Sequence, residues 1–322
     1  MKEISVTEIE GFKIGQTEDK EAATGMTMVF CEEGMNAGVD IRGGGPASRE
    51  TPLLNPLMNA QFIHAVVLSG GSAFGLGAAD GVMKYLEEQG IGLEVGITKV
   101  PLVVQSDIFD LTVGDSKRRP DPAMGYALAR QTLEAPNYQD GNVGAGTGAS
   151  VGKMSGMKRA MKAGIGSYAL EVGELKIGAI VVVNALGDVY DPATGKQVAG
   201  MLSEDGRSLS SSEDQMIGLM EKLPPAFTAN TTIGVILMNA DFNKSDLCKI
   251  AGMAQDGMAR AIRPVHTSGD GDSLYAVSNG NVRANRDVVG TLAARVTQEA
   301  ILRAVKNCES AYGLISASDL KP

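Results

Sequence analysis

The chain has 322 residues, with 38 acidic against 29 basic side chains and a net charge of -9. An acidic chain with only 4% aromatic residues lacks the basic face and stacking rings that nucleic acid requires, and 43% hydrophobic against 21% charged residues is a globular rather than a disordered composition. Two histidines and three scattered cysteines (Cys31, Cys248 and Cys308) make neither a zinc pattern nor a disulfide framework. The start, Met1 to Ser5, carries no apolar signal segment, and no run approaches the roughly 18 apolar residues of a membrane span. A soluble, cytoplasmic protein is expected, with no metal site and no membrane partner.

In chain order, Ala65-Val66-Val67-Leu68 predicts a strand buried on both faces, and Phe74 to Glu88 predicts a helix stopped by Gly90. Ile177–Val183 and Ile233–Met238 predict two more buried strands. Between them, residues 203–229 are rich in Ser, Gly, Pro and charge and end in Pro224-Pro225-Ala226-Phe227-Thr228-Ala229. This composition predicts a solvated loop that leads straight into Asn230-Thr231-Thr232 and a core strand. Helical spacing appears at Leu247, Ile250, Ala251, Ala254, Met258 and Ile262, and again at Val288, Val289, Leu292, Val296, Ile301 and Val305. Strands apolar on both faces need cover on both, so the class is α/β or layered α+β.

Several segments invite chemical readings that fail on inspection. The glycine-rich run from Gly144 to Lys153 resembles a phosphate loop, but Thr147 stands where the pattern needs Gly and Met154 where it needs Ser or Thr. Gly144-x-Gly146-x-x-Ala149 lacks the preceding core strand of a dinucleotide site, so no nucleotide cofactor is expected. His64 and His266 sit in no nucleophile-elbow context, and each reads as a structural histidine. Taken residue by residue, Lys153 reads as a loop charge, Asn184 as a polar strand end and Asp270-Gly271-Asp272 as a surface turn. The junction at Thr231 reads as a surface connection entering a strand.

The blocks together say more. They run Gly25-Met26-Thr27-Met28-Val29, Gly38-Val39-Asp40-Ile41-Arg42-Gly43-Gly44-Gly45-Pro46 and His64 through Leu76 with Ser69-Gly70-Gly71-Ser72. Gly144–Lys153, Val183-Asn184-Ala185-Leu186-Gly187-Asp188, Asn230-Thr231-Thr232-Ile233-Gly234 and Arg260 through Asp272 follow. In order and spacing, over nearly the whole chain, the sequence resembles the self-cleaving aminopeptidase/amidohydrolase family of the L-aminopeptidase D-esterase type, peptidase family S58. That family includes β-aminopeptidases and nylon-oligomer hydrolases. The resemblance implies a four-layer αββα sandwich of the α+β class, with residues 1–322 forming a single domain. It implies self-cleavage between Asn230 and Thr231 into fragments 1–230 and 231–322, and a homo-oligomer, for which a tetramer is compatible. Thr231 and Asp-Gly-Asp look closest to the nylon-oligomer branch, since the better-known aminopeptidases of the family carry Ser at the nucleophile and at the first position of that motif, with Glu at its end.

Such chemistry suits a chain with few histidines. A hydroxyl is a weak nucleophile at neutral pH and needs a base. A free α-amine, with a reference pKa of about 7.7–8.0, supplies that base on the same residue once the preceding bond is broken. The resemblance implies Thr231 as nucleophile, Asn184 as oxyanion donor and Lys153 as the group tuning the threonine. Asp270 and Asp272, at i and i+2 of an extended segment, would orient the hydroxyl and ammonium. Gly70, Gly71 and Ser72 would offer backbone N–H groups to substrate. Phe109 stands where some members place a tyrosine that assists the oxyanion, and a phenylalanine cannot donate. The expected substrate is a small peptide or amino-acid amide, cleaved through an acyl-enzyme without cofactor or metal. Alternatives are an acyltransferase resembling the ornithine acetyltransferases that uses the same threonine, and an unprocessed, non-catalytic relative.

Overall fold

The computed structural model describes residues 1–219 and 230–320, so the Pro224–Ala229 end of the expected loop lies outside the described residues. Among the described residues, ten strands share one hydrogen-bonded sheet: β1 (Lys2–Ile4), β2 (Lys13–Asp19), β3 (Thr24–Ile41), β4 (Ala47–Arg49), β5 (Phe62–Ser69), β6 (Val103–Asp107), β7 (Ile165–Val172), β8 (Leu175–Asn184), β9 (Thr231–Ala240) and β10 (Ser273–Val282). The order is β1-β7-β8-β9-β10-β3-β5-β6-β4, and β2 pairs with the first part of β3. The β9–β10 and β5–β6 pairs are parallel and the others antiparallel. Among the described residues there are five helices, α1 (Ala78–Glu88), α2 (Pro122–Glu134), α3 (Ser212–Gly218), α4 (Lys244–Ala261) and α5 (Arg286–Lys306), and all but α3 pack on the strands of this sheet.

Strand β3 joins two layers. Its first part, Thr24–Phe30, pairs with β2 and β5; after a register shift between Phe30 and Met35, Asn36–Ile41 pairs with β10. The two-residue period then sorts the side chains. Met26, Met28 and Phe30, with Ala65 and Val67 of β5, pack under α1 and α2. Val29, Val66 and Leu68 point the other way, into the larger core shared with β7 to β10, α4 and α5. The Tyr275 and Ser106 hydroxyls, one from each layer, share a buried hydrogen bond of 2.7 Å. The result is helices, sheet, sheet, helices: the layered α+β alternative, arranged αββα.

All three predicted strands fall inside β5, β8 and β9, and both periodic segments are helices, α4 and α5, except that Ile262 lies just past the end of α4 in extended backbone. Two elements differ. The helix expected from Phe74 begins at Ala78; Ser72–Gly77 is a 3-10 turn, because Gly75 and Gly77 are weak helix formers and Gly71 enters in the left-handed region at φ +87°. The expected loop contains α3, nucleated by the Ser211 hydroxyl accepting the Asp214 N–H at 3.0 Å.

Helix α5 lies so close to β7 that a Cβ on Gly166 would fall 2.3 Å from the Ala300 carbonyl oxygen and from the Ala304 nitrogen. Neither backbone atom can yield cheaply. Gly166→Val is expected to destabilise the protein by about 2–3 kcal/mol, read as a lowered urea midpoint at unchanged slope.

Candidate active site

The site forms where three neighbouring strands end. Thr231 opens β9 and pairs with Asn184, the last residue of β8. On the other side β9 runs parallel to β10, with Ile233 opposite Ser273, so Asp270-Gly271-Asp272 lies beside residues 230–232. All of Asn230, Thr231, Asn184, Lys153, Asp270 and Asp272 are buried. The local backbone is tight: Gly271 donates its N–H to the Asn230 carbonyl at 2.8 Å, and the Thr231 hydroxyl donates to the same oxygen at 2.5 Å. A Cβ on Gly271 would fall 2.7 Å from Thr231 Oγ1 and 3.0 Å from the Gly45 oxygen. Glycine is therefore what lets the acidic segment approach the threonine.

Asn184 is the hub of the polar network. Its Oδ1 accepts from Lys153 Nζ at 2.8 Å and from the Ser150 N–H at 3.2 Å, and its backbone carbonyl takes a second bond from Lys153 at 3.0 Å. These partners are donors, which fixes the amide orientation and turns Nδ2 toward the Phe109 carbonyl at 3.0 Å. Phe109 thus contributes its backbone carbonyl to the site, and among the described residues the second Nδ2 hydrogen has no acceptor. The glycine-rich run that mimics a phosphate loop serves to aim Lys153 inward. Gly152 takes φ +72°, and a Cβ there would meet the Gly200 and Met201 backbone at 2.0 Å. Fully buried Lys162 pins the same run by donating to the carbonyls of Gly146 and Ala149, and it also donates to that of its neighbour Ala163.

The acidic pair is divided in its tasks. Asp270 accepts the Thr267 N–H at 2.7 Å, while Asp272 accepts the Thr232 N–H at 2.8 Å through Oδ1 and His266 through Oδ2. Burial pushes the Lys153 ammonium down to about 7, against the opposing pull of Asp270, Asp110 and Asp272. Burial, then the nearby Asp272 carboxylate, raises Asp270 to about 6. Among the described residues there is no group of three or more His, Cys, Asp or Glu side chains that could hold a metal ion, and no helix long and apolar enough to cross a membrane.

The Gly70–Ser72 turn is arranged differently from expectation. Its three N–H groups already donate inside the protein: Gly70 to Gly25 O at 3.0 Å, Gly71 to Asp110 Oδ1 at 2.8 Å and Ser72 to Ile108 O at 3.0 Å. Asp110 is the residue that sequence reasoning missed here. It is buried, also takes the Thr24 hydroxyl at 2.7 Å, and is raised by burial. Its only signal was its position beside Phe109. His64 is structural, accepting the Leu102 N–H at 3.1 Å, whereas His266, expected to be structural, is bound to Asp272.

The model of peptidase family S58 matches residues 5–316. The chain belongs to peptidase family S58. A Mycobacterium leprae protein named as an uncharacterized aminopeptidase is 39% identical, covering 96% of this chain and 92% of its own length. A 6-aminohexanoate-oligomer endohydrolase of Kocuria sp. is 30% identical over 92% of this chain and 84% of its own. Among solved structures, the L-aminopeptidase D-Ala-esterase/amidase of Ochrobactrum anthropi, described as a variant of the Ntn-hydrolase fold, matches with a TM-score of 0.69 at 17% identity, covering 98% of this chain and 91% of that one. This S58 chain is a hydrolase of the aminopeptidase/amidohydrolase kind on an Ntn-hydrolase fold.

The lysine's lowered pKa has a stability consequence whose sign is fixed. Between about pH 7 and the ordinary lysine range the unfolded chain binds the extra proton, so stability gained at this residue rises with pH across that window. Relative to Lys153→Met, the wild type is expected to gain stability from pH 7 to pH 10, measured as the difference in urea midpoints; a flat difference contradicts the burial account.

Proposed function

We propose that the chain cuts its own Asn230–Thr231 bond and then acts as an N-terminal-threonine aminopeptidase or amidase on small peptides or amino-acid amides. The observation that carries this reading is the Asn230 carbonyl, which holds both the Thr231 hydroxyl at 2.5 Å and the Gly271 N–H at 2.8 Å. Relatives named as an aminopeptidase and as a 6-aminohexanoate-oligomer endohydrolase favour amide substrates.

In self-cleavage, Thr231 Oγ1 attacks the Asn230 carbonyl carbon, and the oxygen that gains charge is the one already bonded to the Gly271 N–H. The C–N bond breaks, the hydroxyl proton passes to the departing nitrogen, and an ester joins residue 230 to Oγ1. Water then hydrolyses the ester, leaving a carboxylate on Asn230 and a free amine on Thr231. In turnover that amine accepts the hydroxyl proton as Oγ1 attacks the substrate carbonyl. The acyl-enzyme forms, the leaving amine takes the proton, and water releases the acid. The second Nδ2 hydrogen of Asn184 is the donor for the turnover oxyanion. Lys153 tunes the threonine amine and hydroxyl, and Asp270 and Asp272 balance the new ammonium. No step requires a cofactor. The restricted χ1 of a β-branched nucleophile narrows the directions open to Oγ1. The unpaired cysteines fit a reducing compartment, and we place the enzyme in the cytoplasm, working as a homo-oligomer.

Purified wild type is expected to resolve into fragments 1–230 and 231–322, with the smaller one reading Thr-Thr-Ile by Edman degradation. Thr231→Ala is expected to stay intact and inactive. An active preparation containing only the Met1 terminus defeats the proposal. Asn184→Ala is expected to lower kcat by about 10²–10³-fold, as for loss of one oxyanion donor.

A further inference from the structure

His266 has more contacts than the mechanism above uses. Its main-chain N–H and its ring Nδ1 both reach Asp272 Oδ2, at 3.1 and 2.9 Å, while Asp272 Oδ1 holds the Thr232 N–H at 2.8 Å. Bonded to a carboxylate, Nδ1 carries the proton, so the imidazole is oriented and its tautomer fixed. Its Nε2 is buried and has no hydrogen-bond partner among the described residues. The backbone at His266 sits at φ +58°, a region that residues with a Cβ rarely adopt. Such an outlier persists when the surroundings over-determine it, and here one buried carboxylate binds both the N–H and the ring of the same residue.

The chain of bonds ends at the nucleophile. Asp272 is almost wholly buried, so its rotation is set by what it binds. Its bond to the Thr232 N–H fixes the peptide plane that follows Thr231. We propose that His266 is a positioning residue: by clamping Asp272 it holds that plane, and so aims the Thr231 hydroxyl at the carbonyl to be attacked. This rests on Thr231 being the nucleophile. His266 acts through Asp272 and takes no proton from substrate. A displaced nucleophile slows chemistry without weakening binding, and small misplacements cost up to about 10²-fold.

Two substitutions separate the ring from the backbone. His266→Gly keeps the main-chain N–H and accepts a positive φ without strain, but removes the ring. His266→Asn also tolerates that conformation and restores a side-chain N–H that can reach Asp272. The readouts are the first-order rate at which the fragment beginning at Thr231 appears, kcat and KM of the matured enzyme on an aminoacyl p-nitroanilide, and the melting temperature. His266→Gly is expected to slow self-cleavage and lower kcat by at least about tenfold, with KM within about twofold and a melting temperature still above that of the assay. His266→Asn is expected to regain most of both rates. Glycine as fast as wild type, or asparagine as slow as glycine, overturns the positioning role while leaving the proposed function standing. A wild-type chain that neither cuts before Thr231 nor hydrolyses amides overturns both.

Discussion

The site depends on the register of one central strand. β9 is held antiparallel to β8 and parallel to β10, so its first residue meets the last residue of one neighbour and the entry segment of the other. Because side chains alternate faces, a slip of one residue would turn the Thr231 hydroxyl away and present Thr232 in its place. The register is fixed by packing. Residues 231–238 of β9 are all buried, and Gly234 has no room for a side chain, with a Cβ falling 2.7 Å from the Ile180 oxygen. The apolar core and the reactive hydroxyl are thus two consequences of the same pairing.

Around that strand the protein gathers charge where solvent does not reach. Lys153, Asp110, Asp270 and Asp272 are all buried, and Asp107 behind them is fully buried, with its carboxyl raised well above the ordinary range by desolvation first and opposed mainly by its bond from Gln105. Taking such groups out of water costs stability, and hydrogen bonds from Thr24, Gly71 and Thr267 offset only part of it. The return is chemical. Desolvation brings an ammonium and a carboxyl, ordinarily more than six pH units apart, to about 7 and about 6, where each changes charge near neutrality.

Glycine makes these approaches possible. The acidic segment meets Thr231 across Gly271. Its neighbour Gly43 is closer still, since a Cβ there would lie 2.3 Å from the Asp270 carbonyl oxygen. At these two positions glycine lets backbones cross beside the site, as Gly166 does where α5 crosses β7.

The three apolar runs and the two helical periodicities were legible from sequence because burial imposes its period on composition. β5, β8, β9, α4 and α5 follow from hydrophobic spacing alone, and the order of short motifs was enough to indicate the family. What the sequence could not carry was any relation set by through-space distance. Nothing in the local pattern tells that His266 turns its ring to Asp272, that Asp110 occupies the N–H of Gly71, or that Lys153 points inward rather than to solvent. Phe109 was readable as a missing hydroxyl, but its carbonyl's bond to Asn184 was not, since backbone acceptors leave no mark on residue identity. The sequence by itself determined which segments must be buried and which residue types were on hand. Only the tertiary structure decided which polar groups face one another, because hydrogen bonds and desolvation act between neighbours in space that stand far apart in the chain, 40 positions from Thr232 to Asp272 and 75 from Phe109 to Asn184.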